Sequence, residues 1–85
     1  MVYKVSYKAS VEKDLRRVDK QTAARLLKKL EAELSKDPSK GEQLKGEFEG
    51  LFKYRIGDYR AVYTRTAGGV VILRIAHRKD IYREK

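Results

Sequence analysis

Between Leu51 and His77 the chain reads LFKYRIGDYRAVYTRTAGGVVILRIAH, and four of its side chains, Lys53, Arg55, Arg60 and His77, could act together on a phosphate. Arginine offers a planar fork of donors that fits a phosphate, and histidine exchanges protons near neutral pH. The chain has no paired carboxylates on a helix, no glycine-rich loop opening a helix and no nucleophile beside a base. The cationic set suits cleavage of RNA without a metal, because the ribose carries its own nucleophile, the 2′-hydroxyl, beside the scissile phosphate. Three tasks then fall to the protein: removing that proton, stabilising the extra negative charge on phosphorus, and protonating the departing 5′ oxygen. Guanidinium groups suit the second task, where a well-placed donor is typically worth ~3 kcal/mol of barrier. The proton transfers need a group tuned toward neutrality by its neighbours.

Whether these residues meet depends on strand register. Gly57-Asp58 suits a two-residue type II′ hairpin loop, which sets Ile56 opposite Tyr59, Arg55 opposite Arg60 and Lys53 opposite Val62. Side chains alternate faces along a strand, so Lys53, Arg55 and Arg60 share one side. Phe52, Tyr54, Ile56, Tyr59, Ala61 and Tyr63 share the other, a floor for helices. Arginine opposite arginine repels, and a bound anion would relieve it. With a second tight turn at Gly68-Gly69, Arg60 faces His77 and Val62 faces Ile75. Shifting that loop to Ala67-Gly68 changes the pairing but not the parity, so His77 joins the cationic row in either case, whereas a three-residue loop would flip it. Taken singly, each of these residues would be an ordinary solvated strand residue.

The elements that must hold this row can be read along the chain. Val2 to Tyr7 alternates like a half-buried strand. Ser10 is a candidate N-cap for a short helix carrying Val11, Leu15 and Val18. Asp19 caps a second helix whose Ala23, Leu26, Leu27, Leu30 and Leu34 fall on one face, and Asp37-Pro38 ends it. Strands are predicted at Leu51–Ile56, Tyr59–Thr66 and Val70–His77, with a short extra strand near Gln43–Gly46. The fold class is α+β: an N-terminal strand, a helical hairpin, then an antiparallel meander, with the helices packed on one face of the sheet.

Eighty-five residues make one domain, 1–85. With no cysteine and one histidine, neither a disulfide framework nor a multi-histidine or thiolate metal site is expected. No apolar run reaches a membrane span and no signal peptide opens the chain, so a cytoplasmic protein is expected. Twenty-one Lys and Arg against twelve Asp and Glu give +9, a field that attracts polyanions. Residues 1–41 hold eight Lys and three Arg, and residues 42–85 hold four Lys and six Arg, which points to the second half for phosphate chemistry.

Leu44-Lys45-Gly46, Leu51 to Ile56, Asp58 to Tyr63 and the ending Ile75-Ala76-His77-Arg78-Lys79-Asp80-Ile81-Tyr82 together resemble the signature of RelE-type toxins, in the RelE/ParE superfamily. The YRAVY and HRKDIY pair at this separation is the specific part, while the order of elements matches over nearly the whole chain. The resemblance implies a toxin of a type II toxin–antitoxin module, an mRNA interferase that cuts mRNA in the ribosomal A site. It implies phosphate stabilisation by Arg60, leaving-group assistance by Arg78 and base stacking or orientation by Tyr82. Lys53 and Arg55 match basic positions beside the scissile phosphate, with Lys53 the first choice of general base. Glu42, at the position of a glutamate base in the YoeB-like branch, is a second choice, and His77 could serve as acid or base. Lys45 and Lys79 are expected to bind RNA. No cofactor is implied.

Two other readings compete. One is a ParE-like inhibitor of DNA gyrase without a nuclease site, and the other is a non-catalytic RNA-binding module. The gathered cations argue against the first, and the core-facing parity of most tyrosines against the second. The expected partners are mRNA, the ribosome and a RelB-like antitoxin whose acidic or amphipathic segment docks on the apolar strip Val62, Val71, Leu73 and Ile75, with a heterotetramer as one expected assembly.

Overall fold

A computed structural model describes residues 3–77, so Arg78, Lys79 and Tyr82 lie outside the described residues. The elements in chain order are β1 (Lys4–Tyr7), α1 (Ala9–Leu15), α2 (Lys20–Leu34), β2 (Glu42–Gln43), a 3-10 turn (Gly46–Phe48), β3 (Leu51–Ile56), β4 (Tyr59–Arg65) and β5 (Gly69–His77). One sheet runs β1-β5-β4-β3-β2, with β1 parallel to β5 and the other neighbours antiparallel. This is the α+β arrangement expected, with both helices on one face.

The helix boundaries follow local chemistry. Asp19 caps α2, its carboxylate accepting from the Thr22 N–H at 3.2 Å. The leucine stripe then turns inward, and Leu26, Leu30 and Leu34 pack with Ala61, Tyr63, Val70, Ile72 and Ile75 in the core. Phe52, Tyr54, Ile56 and Tyr59 pack against that core, as their parity requires. Ser10 is not the cap of α1. The cap position is Lys8, which makes no side-chain cap bond, and the Ser10 hydroxyl donates instead to the Leu73 carbonyl at 2.6 Å. Helix α1 stops at Leu15, short of Val18. The short extra strand is Glu42–Gln43 rather than Gln43–Gly46; Gly46, at φ 73, turns the chain away from the sheet.

The first hairpin has the expected register, with Arg55 opposite Arg60 and Lys53 opposite Val62. Gly57 has φ 59 and Asp58 does not share the positive φ, which is the type II′ pattern. The second hairpin departs from expectation. Its turn is Ala67-Gly68, closed by the Thr66 N–H donating to the Gly69 carbonyl at 2.8 Å. Gly69 starts β5 because a Cβ there would stand 1.9 Å from the Lys4 carbonyl oxygen on β1. Further along, Tyr63 pairs with Ile72 but Val62 pairs with Arg74, so Leu73 is an extra, bulged residue. That one residue reverses the parity of the rest of β5. His77 lies opposite Tyr59 instead of Arg60, Ile75 lies opposite Ala61, and Arg60 faces Ala76. Ile75 is buried in the core, on the parity opposite to Val62, and meets the cavity only as a buried part of its lining.

Candidate functional site

A cavity of about 720 Å³ opens over the cationic face of the sheet and is bounded on the β5 side by Asp14, Arg17 and Val18, at and just past the end of α1. Two rows of paired residues run across this face, all but Arg55 lining the cavity. Lys53, Val62 and Arg74 lie side by side on β3, β4 and β5, and Arg55, Arg60 and Ala76 form the next row. Lys53, Arg60 and Arg74 line the cavity, with Leu44, Phe48, Leu51, Val62 and Leu73 as its apolar part. Cations thus stand on three adjacent strands over an apolar floor, a surface able to hold an anion that also carries a flat or apolar group.

Glu42 reaches the site through the loop after α2. Pro38 is buried, and its carbonyl accepts from the Tyr63 hydroxyl at 2.7 Å, while that hydroxyl accepts the Gly41 N–H at 2.9 Å. Burial pushes the Tyr63 hydroxyl up from its ordinary value, so it stays protonated and keeps donating. Phe52 stacks on the Tyr63 ring at 5.2 Å. With the loop pinned, β2 pairs Glu42 with Lys53 in register, and the carboxylate stands 3.8 Å from the Lys53 Nζ. The two candidate bases are therefore neighbours, Lys53 mostly enclosed and Glu42 open to solvent at 76% side-chain exposure.

The remaining expected residues sort plainly. Arg60 is half-buried in the cavity wall. Arg55 shares its face by register but is exposed and bends back, its Nε donating to the Gly57 carbonyl at 3.3 Å. His77 has moved to the Tyr59 side, where the two rings meet edge to face at 5.2 Å, and it still lines one end of the cavity. Lys45 is exposed beside the 3-10 turn and does not line the cavity. Arg74 and Asp14 had not been singled out. Arg74 donates to the Asp14 carboxylate from Nε at 2.9 Å and Nη2 at 3.3 Å, and the same carboxylate accepts the Ile75 N–H at 2.9 Å. In the structure the core residues of β5 step from Val70 to Ile72 and then to Ile75, a spacing of three that the unbroken apolar run Val70 to Leu73 hides in the sequence.

Comparison with known proteins agrees with this architecture. Residues 5–82 match the family described as ParE toxin of type II toxin–antitoxin system, parDE. Toxin RelG of Mycobacterium tuberculosis is 35% identical over 86 residues, covering 98% of this chain and 99% of that protein. Toxin RelE of the same organism is 36% identical over 84 residues, covering 95% and 87%. Among solved structures, the toxin–antitoxin complex RelBE2 from Mycobacterium tuberculosis superposes with a TM-score of 0.85 at 31% identity, over 92% of this chain and 93% of that one. The family match carries the ParE name and the full-length relatives carry the RelE and RelG names, and all are toxins of one fold. The chain belongs to the RelE/ParE family of toxins from type II toxin–antitoxin systems.

Proposed function

We propose that this toxin is a metal-independent endoribonuclease that cuts mRNA, in the ribosomal A site, by attack of a 2′-hydroxyl on the adjacent phosphate. The carrying observation is the gathering of Lys53, Arg60 and Arg74 around one cavity with Glu42 paired to Lys53. Arg60 stabilises the charge that develops on phosphorus. The Lys53–Glu42 pair supplies the base. Glu42 accepts the proton, and Lys53, 3.8 Å away, fixes the carboxylate in place and neutralises phosphate. By the family resemblance Arg78 assists the leaving group, His77 is a candidate for its acid, and Tyr82 orients the substrate base. The experiment maps cuts in a translated mRNA in a cell-free system, with and without ribosomes. A 2′,3′-cyclic or 3′-phosphate and a 5′-hydroxyl are expected, with cleavage persisting in EDTA and failing on a 2′-deoxy sugar at the cut. Metal-dependent cutting that leaves 5′-phosphates contradicts the mechanism.

The ParE family match favours one other reading, a toxin that binds DNA gyrase and cuts nothing. Gyrase supercoiling assays run beside the cleavage assay separate the two, since only the gyrase reading predicts inhibition there with intact RNA. Under either reading the partner is an antitoxin of the RelB type. Support comes from the solved RelBE2 complex of a similar protein and from the apolar residues Leu44, Phe48, Val62 and Leu73 beside the cations. Among the described residues Phe48, 54% exposed, is the large apolar side chain most open to such a segment.

A further inference from the structure

We infer that Arg74, aimed by Asp14 of α1, binds an RNA phosphate flanking the scissile one, and is a substrate-binding residue of this site. The inference rests on the ribonuclease reading above and extends it to the track the RNA follows. The bulge at Leu73 turns Arg74 onto the same face as Lys53 and Arg60, and all three line the cavity. Asp14 then fixes where the guanidinium goes. Its carboxylate is 12% exposed and takes three bonds, two from Arg74 and one from the Ile75 N–H. One helical turn earlier, Ser10 binds the Leu73 carbonyl at 2.6 Å, so α1 brackets the bulge from the open edge of β5. Arg74 is drawn toward α1, away from the Lys53 and Arg60 pair where the reacting phosphate sits in the reading above.

The pair ties α1 to β5, and it does so with its cation still open: Asp14 is 12% exposed, whereas the Arg74 side chain stays 47% exposed and lines the cavity. The pair thereby holds a guanidinium in one place on a cavity wall, which lowers the cost of ordering it around a ligand. Arg17, on the same side, also lines the cavity. The cations therefore run from Arg17 through Arg74 and Arg60 to Lys53, across the strands, and a single RNA strand laid over them presents successive phosphates.

The test uses the full chain and a labelled single-stranded RNA with a 2′-deoxy sugar at the mapped cut, so that it binds without being cleaved. In a set of such oligonucleotides, one phosphate at a time is replaced by a neutral methylphosphonate. The wild type is expected to lose ~10-fold in affinity at one phosphate flanking the cut as well as at the scissile one, the scale of one charged contact. Arg74→Ala should bind unmodified RNA ~10-fold more weakly, show no further loss at that flanking phosphate, and keep its full response at the scissile one. Its salt slope should fall by about 0.7, one phosphate contact on a single strand, and on cleavable RNA KM should rise far more than kcat falls. Arg74→Lys, which keeps the charge without the fork, should keep the slope and lose the position-specific response. Asp14→Asn, which can still accept the Ile75 N–H, should flatten that response too. Unchanged affinity in Arg74→Ala, or a loss spread evenly over all phosphates, overturns the assignment. A wild-type response at the flanking phosphate in Asp14→Asn overturns the positioning role. The binding set is read both free and with the oligonucleotide placed in the A site of ribosomes; if the wild type binds it in neither setting, the ribonuclease reading itself fails, an outcome distinct from either of these.

Discussion

At the scale of single residues, Arg60 and Arg65 offer the sharpest contrast on one strand. Arg60 sits half-buried in the cavity wall, and Arg65 lies exposed at the far end of β4 on the opposite parity. Arg60→Ala should lower cleavage ~10²–10³-fold, the usual effect of deleting one charge-stabilising donor, with the melting temperature little changed. Arg65→Ala should leave cleavage within a few-fold of wild type, and equal damage from both would reverse the faces assigned to β4. The base can be apportioned in the same assay. Glu42→Gln should depress kcat with KM little changed, whereas Lys53→Met should weaken binding as well as kcat. An unchanged kcat in Glu42→Gln would return the base role to Lys53. The cationic row on β3 and β4 was legible in the chain because a two-residue turn leaves no freedom of register. Arg74 was not, because a bulged residue reverses parity without changing composition.

At the scale of elements, the loop from α2 into β2 depends on one buried hydroxyl. Tyr63→Phe leaves the Pro38 carbonyl and the Gly41 N–H without the partner they share. The expected cost is ~1–3 kcal/mol, measured by denaturant unfolding, together with a loss of activity as Glu42 loses its anchored place. A variant as stable and as active as wild type would show that the loop is held by something else. The N-terminus of α2 makes a second case. The side-chain bond from Thr22, and then its backbone N–H, hold Asp19 below its ordinary value, and bonds from Ser39 do the same for Asp37. Both carboxyls have a lower folded than unfolded value, so the folded state binds fewer protons. Their contribution is fully present above the unfolded values and is lost as pH falls through them toward the folded ones. Acid unfolding should therefore begin near pH 4, and Asp19→Ala should flatten its onset, read by circular dichroism. An identical acid transition in the variant would show that this cap does not contribute.

At the scale of the whole molecule, the charge of +9 and the apolar part of the cavity predict the behaviour toward a partner. The protein encoded beside this one should bind it tightly, cover the cavity and stop cleavage, with an association rate that falls as salt rises. Phe48→Ser should weaken that complex ~10-fold or more by removing the most exposed apolar contact, as isothermal titration would record. A neighbour that binds without protecting RNA, or binds equally well after Phe48→Ser, would place the interface elsewhere. Among the described residues no helix is long and apolar enough to cross a membrane.

Local rules were enough to determine the order of elements, the leucine face of α2 and the pairing of β3 with β4. Each follows from interactions within a few residues: a cap at Asp19, a 3.6-residue period, a glycine at positive φ in a two-residue turn. The second hairpin could not be settled that way. Its parity turns on Leu73, which is held out of the ladder by Ser10 and Asp14, residues 63 and 61 positions away from the atoms they bind. The parallel partner β1 ends at Tyr7, opposite Ile72, and beyond it α1 bonds that edge of β5, through Ser10 at the Leu73 carbonyl and Asp14 at the Ile75 N–H. That contact, absent from any local pattern, moved His77 and Ile75 to the helix side and brought Arg74 to the cavity, because an alternating strand transmits one inserted residue to every side chain beyond it.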